Sequence, residues 1–300
     1  MQVLIAGGTG LIGTRLAEML LEKGFAVSIL SRKKYVSDII KYFLWNPASG
    51  YFDDAAIRDA DFIVNLSGAG IADERWSKER KETITTSRVN SGKTILYALQ
   101  KNRHKVKCIV CASGVGYYPK NSAAIMTEET KPGNDFLSHV VQEWENQNMQ
   151  LEHQSRAVIF RNSMVLSLKG GALKEIYFPL KFFMAPYFGS GRQAYSWIHI
   201  DDMCRMIIFA LENEHVNGIY NASSPEVVSN KEFMKQLIKA SGNRALLMPV
   251  PALVLKTFLG ERASIVLDGI SVSSEKISNA GFQFRHGNLK SALESIFKNT

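Results

Sequence analysis

Three cysteines in 300 residues cannot supply a disulfide framework. The one suggestive spacing, Cys108-Ile-Val-Cys111, lies inside an apolar run from Val106 to Ala112 that reads as a strand. Residues three apart on a strand face opposite sides, so the two thiols are not expected to converge. The six histidines lack zinc-type spacing with the cysteines, and no structural metal is expected. No stretch reaches the roughly 18 apolar residues that suggest a membrane span. The N-terminus lacks the charged region and cleavage site of a signal peptide, so a cytoplasmic location is expected if the source is bacterial. Nor is there an internal repeat or a low-complexity linker. Acidic residues are the scarcer charge, 28 against 36 Lys and Arg, for a formal net charge of +8. That balance permits anionic ligands without requiring them. The densest basic stretch, Lys101 to Lys107, follows a helix and has no interleaved aromatics for stacking bases, which argues against nucleic-acid binding.

A hydrophobic content of 46% is ample for a sizeable core, in one large α/β unit or two unequal lobes. Val3 to Ala6 forms the short continuous apolar run of a parallel strand covered on both faces. It runs into Gly7-Gly8-Thr9-Gly10-Leu11-Ile12-Gly13 and then a helix from Leu11 to Glu22, punctuated by Gly24. Two registers fit the glycines: Gly8-x-Gly10-x-x-Gly13 and Gly7-x-x-Gly10-x-x-Gly13. Between a strand and a helix, such glycines let the backbone approach a pyrophosphate that the helix N-terminus attracts. The pattern therefore points to a dinucleotide rather than an ordinary tight turn.

The next strand, Phe25 to Leu30, indicates which dinucleotide. An NAD site places a carboxylate about 20 residues past the glycines to hold the ribose 2′-hydroxyl. Here the strand ends in Ser31-Arg32-Lys33-Lys34. With the acid missing and a guanidinium present, a 2′-phosphate is favoured, hence NADP(H). The alternative is a solvated basic loop.

Further units follow: a strand from Asp61 to Leu66, a helix from about Lys78 to Gln100, a strand from Val106 to Ala112, a helix from about Phe136 to Gln147 and a strand from Arg156 to Phe160. The alternation predicts an α/β fold, a doubly wound parallel (Rossmann) sheet with a smaller C-terminal substrate lobe. The expected division assigns 1–165 to the cofactor domain, which also receives 195–225. Residues 166–194 and 226–300 form the substrate lobe with its C-terminal extension. The aromatic segment Ile176 to Phe188 reads by default as core packing of that lobe, with a lid, a subunit contact or a membrane-touching patch as alternatives. It is too short to span a bilayer.

Taken together, the chain resembles the extended short-chain dehydrogenase/reductases. More narrowly, it is similar to an atypical "epimerase family" branch of predicted NADP-dependent nucleoside-diphosphate-sugar epimerases. The resemblance is carried by Gly7 to Gly13, Asn65-Leu-Ser-Gly-Ala-Gly-Ile71, Arg75-Trp76, Ser87-Arg88-Val89 and Ala112-Ser113-Gly-Val-Gly-Tyr117-Tyr118. It continues through Asp135-Phe136, Trp144-Glu145, Gly189 to Gln193, Trp197-Ile-His199-Ile-Asp201-Asp202 and Gly260-Glu261. These phrases span nearly the whole chain, including a C-terminal extension from about Val250 that the branch shares. The resemblance implies that Gly7, Gly10, Ile12 and Gly13 line the pyrophosphate and that Ser31 and Arg32 hold the 2′-phosphate. It further implies that Leu66 and Ser67 flank the adenosine ribose, that Arg88 reaches the cofactor, and that Met164 and Val165 lie near the nicotinamide. Arg192, Gln193 and His199 are implied as substrate contacts. Helix-to-helix dimers are common in the family, and here would involve the region from Arg75 to Leu99.

Ordinary members of the superfamily use Ser or Thr with Tyr-x-x-x-Lys, whose spacing puts phenol and ammonium on one helix face. The matching positions here are Phe136 and Val140, which can neither carry a proton nor a charge. Tyr97…Lys101 precedes the serine strand and Tyr177…Lys181 contains Pro179, so neither string replaces the pair. Ser113 and the Tyr117-Tyr118 pair remain as catalytic candidates, against tyrosines that simply pack with their hydroxyls satisfied. Glu128 and Asp135 are acids in the same loop. His199 and Asp201 would share a face if Trp197 to Ile200 is a strand. The expectation is an NADP(H)-dependent oxidoreductase or epimerase-like enzyme for a small polar substrate, possibly a nucleotide-sugar. The rival is a non-catalytic NADP(H)-binding sensor that answers to a partner.

Overall fold

The computed structural model describes residues 1–298. The first half of the chain alternates strands and helices as its apolar periodicity dictates. β1 (Gln2–Ala6) leads through the glycine turn into α1 (Leu11–Glu22) and returns as β2 (Ala26–Ser31). Gly24, at φ +81°, takes the left-handed conformation that lets the chain leave α1, its amide donating to Leu21 O. β3 (Lys41–Asn46) and β4 (Tyr51–Phe52) form a hairpin that sequence periodicity did not disclose, followed by α2 (Ala55–Arg58). Then come β5 (Phe62–Asn65), α3 (Lys78–Lys101), β6 (Cys108–Gly114), α4 (Phe136–Met149) and β7 (Arg156–Asn162).

The second half weaves between the sheet and a smaller lobe. β8 (Met164–Leu166), α5 (Ala172–Tyr177), β9 (Met184–Phe188) and β10 (Ala194–Tyr195) precede β11 (Trp197–His199) and α6 (Ile200–Glu212). β12 (Gly218–Ala222), β13 (Val228–Ser229), α7 (Asn230–Ala240) and β14 (Leu246–Val250) follow. Four helices close the chain: α8 (Ala252–Leu259), α9 (Ser264–Leu267), α10 (Glu275–Asn279) and α11 (Leu289–Lys298). The expected strand over 197–200 is one residue too long, because the His199 ring caps α6 and the helix begins at Ile200.

The main sheet has eight strands in the order β12-β7-β6-β5-β1-β2-β3-β4, all parallel except the β3–β4 hairpin. The chain runs outward from β1 through β2 to β3, then crosses to β5 and builds the other half, so the order reverses between β1 and β5. Ligands of doubly wound sheets bind at such a reversal, outside the strands' C-terminal ends. Each strand serves two cores. Val3 and Ile5 pack with α1 and α6, whereas Leu4 and Ala6 pack on the other face with Ile95, Ala98 and Leu99 of α3. Cys108 lies in the first core and Cys111 in the second, as strand geometry requires. Burial raises the Cys108 thiol to about 11 and Cys111 further still, so both are un-ionised packing residues.

A third core, built around Trp197, Leu173, Leu180, Phe233 and Leu293, holds the smaller lobe. The aromatic segment fills it only in part. Leu180 and Ala185 are buried in it and Ile176, Tyr177 and Tyr187 pack against it, but Phe178, Phe182 and Phe183 are 58–66% exposed, so the core-packing expectation holds for part of the segment only. Among the described residues, no helix is long and apolar enough to cross a membrane.

Candidate functional site

The glycine turn at the end of β1 is built for close approach. Gly7 has φ +79°, and an added Cβ would lie 2.9 Å from the Leu66 backbone, across the reversal point. A Cβ on Gly13 would collide with Gly7 O and lie 2.6 Å from Gly8 Cα. The loop and the first turn of α1 are therefore as close as backbones can come. Gly10 donates to Gly7 O at 3.0 Å and caps α1 without any side-chain hydrogen bond. The leading amides of this 12-residue helix, Ile12 among them, are left for a ligand. Leu11 closes the other side, because a Cβ on Gly171 would touch it at 3.1 Å. That contact brings Gly171, five residues past the end of β8, against the same turn; in β8 itself Met164 and Val165 are half-buried.

Beyond the turn, Ser31 is buried at the end of β2, its hydroxyl accepting the Lys33 amide at 3.1 Å, while Arg32 is exposed. The end of β5 is fixed by Asn65, a fully buried amide to which the sequence resemblance gave no role. Its Nδ2 donates to Ser91 Oγ at 3.1 Å, and its Oδ1 accepts from the Ser67 amide and hydroxyl at 3.2 and 2.8 Å. Leu66 and Ser67 are thereby held beside Gly7.

Arg88 of α3 lies over this loop. A Cβ on Gly68 would meet its side chain at 3.1 Å, its guanidinium stacks 5.1 Å from the Trp144 ring, and its Nη1 donates to Ile84 O. No carboxylate pairs with it among the described residues. Burial, with the like charge of Arg80, lowers its pKa to about 10, so it stays charged at neutral pH. A largely buried cation without an anion is costly unless an anion arrives. The collision-limited glycines and this unpaired guanidinium together fit a dinucleotide phosphate.

The positions that the sequence resemblance assigns to tyrosine and lysine carry an apolar face. Phe136 opens α4 beneath its Asp135 cap, its ring meeting Trp76 edge-on at 5.0 Å, and Val140 is buried. Lys81 Nζ lies over the Phe136 ring at 5.2 Å and pairs with Glu261 of the C-terminal extension.

Ser113, Tyr117 and Tyr118 are brought together, around a residue the sequence did not flag. Arg161 of β7 is the register partner of Ser113 and is only 2% exposed. Its Nε and Nη2 each donate to Glu145 at 2.8 Å, and its Nη1 donates to Tyr118 Oη at 2.9 Å. Ser113 Oγ donates to the same carboxylate at 2.5 Å. The Tyr118 hydroxyl donates onward to Asn221 Oδ1 at 2.7 Å, and burial pushes its pKa up to about 12. With no exposed surface and both hydroxyl partners inside the protein, Tyr118 presents no phenol to a ligand. Tyr117 is half-buried and lies 3.5 Å under the Arg161 guanidinium. The only signal for Arg161 was an arginine in an apolar strand, which periodicity reads as a strand end. Of the two loop acids, Glu128 accepts the Asn221 amide at 2.7 Å and Asp135 caps α4.

A cavity of about 1110 Å³ opens between the 188–194 loop and the C-terminal extension. Arg192, Gln193, Asn121, Lys256 and Asp268 help to line it; Ser113 and the two tyrosines do not. Gln193 Nε2 donates to Phe188 O and Val266 O at 3.1 and 3.0 Å, which ties the two walls together. The Arg192 and Lys256 side chains have no ion-pair partner among the described residues. His199 does not join them, and its expected shared face with Asp201 is replaced by a helix cap. Its Nδ1 accepts the Asp201 amide at 3.0 Å, and its ring stacks on His286 at 4.0 Å. Among the described residues, no group of three or more His, Cys, Asp or Glu could hold a metal ion.

Burial of His199, reinforced by His286, lowers its pKa from 6.5 to about 4. The unfolded chain then binds the extra proton between these values, so stability is complete above pH 6.5 and declines as pH falls towards 4. His199→Asn, which keeps a capping acceptor, should flatten this decline by up to about 1.4 kcal/mol per pH unit. Urea midpoints measured from pH 7 to pH 4 check it, and parallel curves for the two proteins would refute it.

Comparison with known proteins agrees with the fold. A profile described as the NAD dependent epimerase/dehydratase family matches residues 3–223, and one described as a domain of unknown function (DUF1731) matches residues 250–296. Epimerase family protein SA0724 of Staphylococcus aureus (strain N315) is 36% identical over 301 residues, covering 99% of both chains. The crystal structure of human epimerase family protein SDR39U1 (isoform2) with NADPH superposes with a TM-score of 0.91 at 31% identity, covering 100% of both chains. A nucleoside-diphosphate sugar epimerase from Corynebacterium glutamicum gives a TM-score of 0.79 at 25% identity, over 99% of this chain and 58% of that one.

Proposed function

We propose that this chain, which belongs to the NAD dependent epimerase/dehydratase family, is an NADP(H)-dependent oxidoreductase or epimerase-like enzyme for a small polar substrate, possibly a nucleotide-sugar. The observation that carries this reading is the turn at the sheet's reversal point, where Gly7 and Gly13 admit no side chain and Arg88 awaits an anion. Bound there, NADP(H) would exchange a hydride with a carbinol or carbonyl carbon. Gly7, Gly10, Ile12 and Gly13 hold the pyrophosphate. Ser31 and Arg32 take the 2′-phosphate, Leu66 and Ser67 flank the adenosine ribose, Arg88 meets a phosphate, and Met164 and Val165 border the nicotinamide. The human relative solved with NADPH supports the phosphorylated cofactor.

On the protein side, Ser113 hydrogen-bonds the reacting oxygen while Glu145 fixes its hydroxyl. Tyr117 is the candidate proton donor, with its ring oriented by Arg161; Tyr118 holds Arg161 in place and is a positioning residue. The substrate's polar remainder occupies the cavity beside Arg192 and Gln193. In the test, cofactor-loaded protein meets fractionated metabolites while nicotinamide absorbance is followed. A fraction-dependent change lost in Ser113→Ala is expected; full turnover in that variant, or in Tyr117→Phe, would sink the assignment concerned. Arg32→Ala should weaken NADPH binding about 10- to 100-fold and leave NADH binding unchanged, as a lost charge-assisted contact requires. Equal losses for both cofactors in a fluorescence titration would refute that role.

The second reading, an NADP(H) sensor without turnover, is favoured by Phe136 and Val140 at the usual acid–base positions and by the sealed Tyr118 hydroxyl. It requires different affinities for the oxidised and reduced cofactor, linked to a partner. Equal affinities would count against it.

A further inference from the structure

The exposed aromatics of the smaller lobe are part of a larger apolar surface. Phe182 packs on Phe178 with ring centroids 5.4 Å apart, and Phe183 O accepts the Leu246 amide at 2.8 Å. That bond joins the segment to the parallel pair β9–β14, in which Met184 lies opposite Leu246 and Pro186 opposite Met248. Met184, Leu246 and Met248 are 40–69% exposed. β14 then passes through Pro251 into α8, Ala-Leu-Val-Leu-Lys-Thr-Phe-Leu, not one residue of which is buried. Leu253 and Phe258 stand 76% and 70% exposed. Nine of the large exposed apolar side chains among the described residues, Val254 included, thus belong to the 178–183 segment, β9, β14 and α8. A soluble monomer rarely leaves so continuous a patch uncovered.

The charge carried by these segments says what covers them. Residues 176–193 and 242–259 contain Lys181, Arg192, Arg244 and Lys256 and no Asp or Glu, and the acids Glu261 and Asp268 that line the adjoining cavity are paired with Lys81 and Lys120. None of the four cations has an ion-pair partner among the described residues, whereas Lys23, Lys81 and Lys101 elsewhere do. A second copy docked through a two-fold axis would set these cations against themselves. An anionic lipid leaflet answers both features at once, taking the phenylalanines and leucines into its acyl boundary and the cations at its headgroups.

We propose that this face docks the protein on anionic phospholipid membranes. Binding is interfacial, since no described helix can span a bilayer. Phe188, Arg192, Ala252 and Lys256 also line the large cavity, so its mouth borders the docked face. The inference does not depend on the catalytic reading.

The test is flotation of the full chain with vesicles of equal parts phosphatidylglycerol and phosphatidylcholine, and with phosphatidylcholine alone. Retention on the anionic vesicles only, weakened by salt, is expected. Lys181→Glu with Lys256→Glu should weaken it at least 25-fold, at about fivefold per cation. Phe182→Ser with Phe183→Ser should abolish it with the charge intact. Arg103→Glu with Lys107→Glu, ahead of β6 and equal in net charge, should leave it unchanged. No retention of the wild type would overturn the proposal. So would equal weakening by the control pair, which would make net charge the cause. A third contrary result is a dimer, seen in sedimentation, that the phenylalanine substitutions dissociate while vesicle binding is unaltered.

Discussion

Arg161→Met should cost about 3–5 kcal/mol of folding stability, as expected when one member of a buried ion pair is removed. The guanidinium is 2% exposed and the facing Glu145 carboxylate is nearly as deep. The pair is bidentate, at 2.8 Å on both arms. Methionine fills much of the volume but leaves a buried carboxylate with only the Ser113 hydroxyl, and leaves Tyr118 without its donor. The size of the loss comes from that uncompensated charge rather than from the net worth of the pair. Adding Glu145→Gln to Arg161→Met removes the charge and should recover part of the loss. Urea unfolding of the two variants measures both effects. A single-variant loss under about 1 kcal/mol would mean that the pair is solvated and contributes little. The same substitution unclamps the Glu145 carboxylate that holds Ser113 and removes the guanidinium over the Tyr117 ring, so turnover should fall in any population that remains folded.

Gly13→Ala should weaken NADPH binding more than about 100-fold, near the upper end of what overpacking costs. Two effects oppose each other. Alanine favours a helix over glycine by about 1 kcal/mol. Against that, its Cβ would collide with Gly7 O and sit 2.6 Å from Gly8 Cα, backbone atoms that no rotamer change can move aside. The collision wins, because relief requires α1 to retreat from the turn whose amides are proposed to hold the pyrophosphate. At Gly10 the nearest atom to an added Cβ is Gly7 O, 3.3 Å away, so Gly10→Ala should bind within about tenfold of the wild type, a smaller overpacking cost. Fluorescence titration with NADPH, alongside thermal melting, separates lost binding from lost fold. Equal affinities for Gly13→Ala and the wild type would place the cofactor elsewhere.

The glycine turn was legible because backbone constraint is written in residue type. Gly7 and Gly13 must be glycines if loop and helix are to touch, and they follow a strand whose four apolar residues have no polar face to offer. The alternation of strands and helices likewise implied the doubly wound sheet, and loss of the acid after β2 was visible as Ser31-Arg32. The boundaries shifted where side chains acted on backbone, as when His199 capped α6 one residue early. Phe136 and Val140 stood out only through the family resemblance, which assigns tyrosine and lysine to those positions.

The polar cluster was not legible, since it is assembled from five separate segments. Ser113, Glu145, Arg161, Asn221 and Glu128 share no periodicity, and Arg161 sits in a strand that its neighbours make apolar. Tyr118 looked like an available phenol, and only packing shows its hydroxyl enclosed between Arg161 and Asn221. The aromatic segment erred in the other direction. Its composition resembles a core, yet only Ile176, Tyr177, Leu180, Ala185 and Tyr187 turn towards the lobe's core, and Phe178, Phe182 and Phe183 remain outside.

By itself, then, the sequence determined the parallel sheet, the glycine turn and the basic end of β2, because local stereochemistry and apolar periodicity decide each within a few residues. Only the tertiary structure decided which hydroxyls stay free, which cations lack partners and which apolar side chains face outward. Those properties depend on burial and on neighbours far away in the chain, which no local stretch of residues contains.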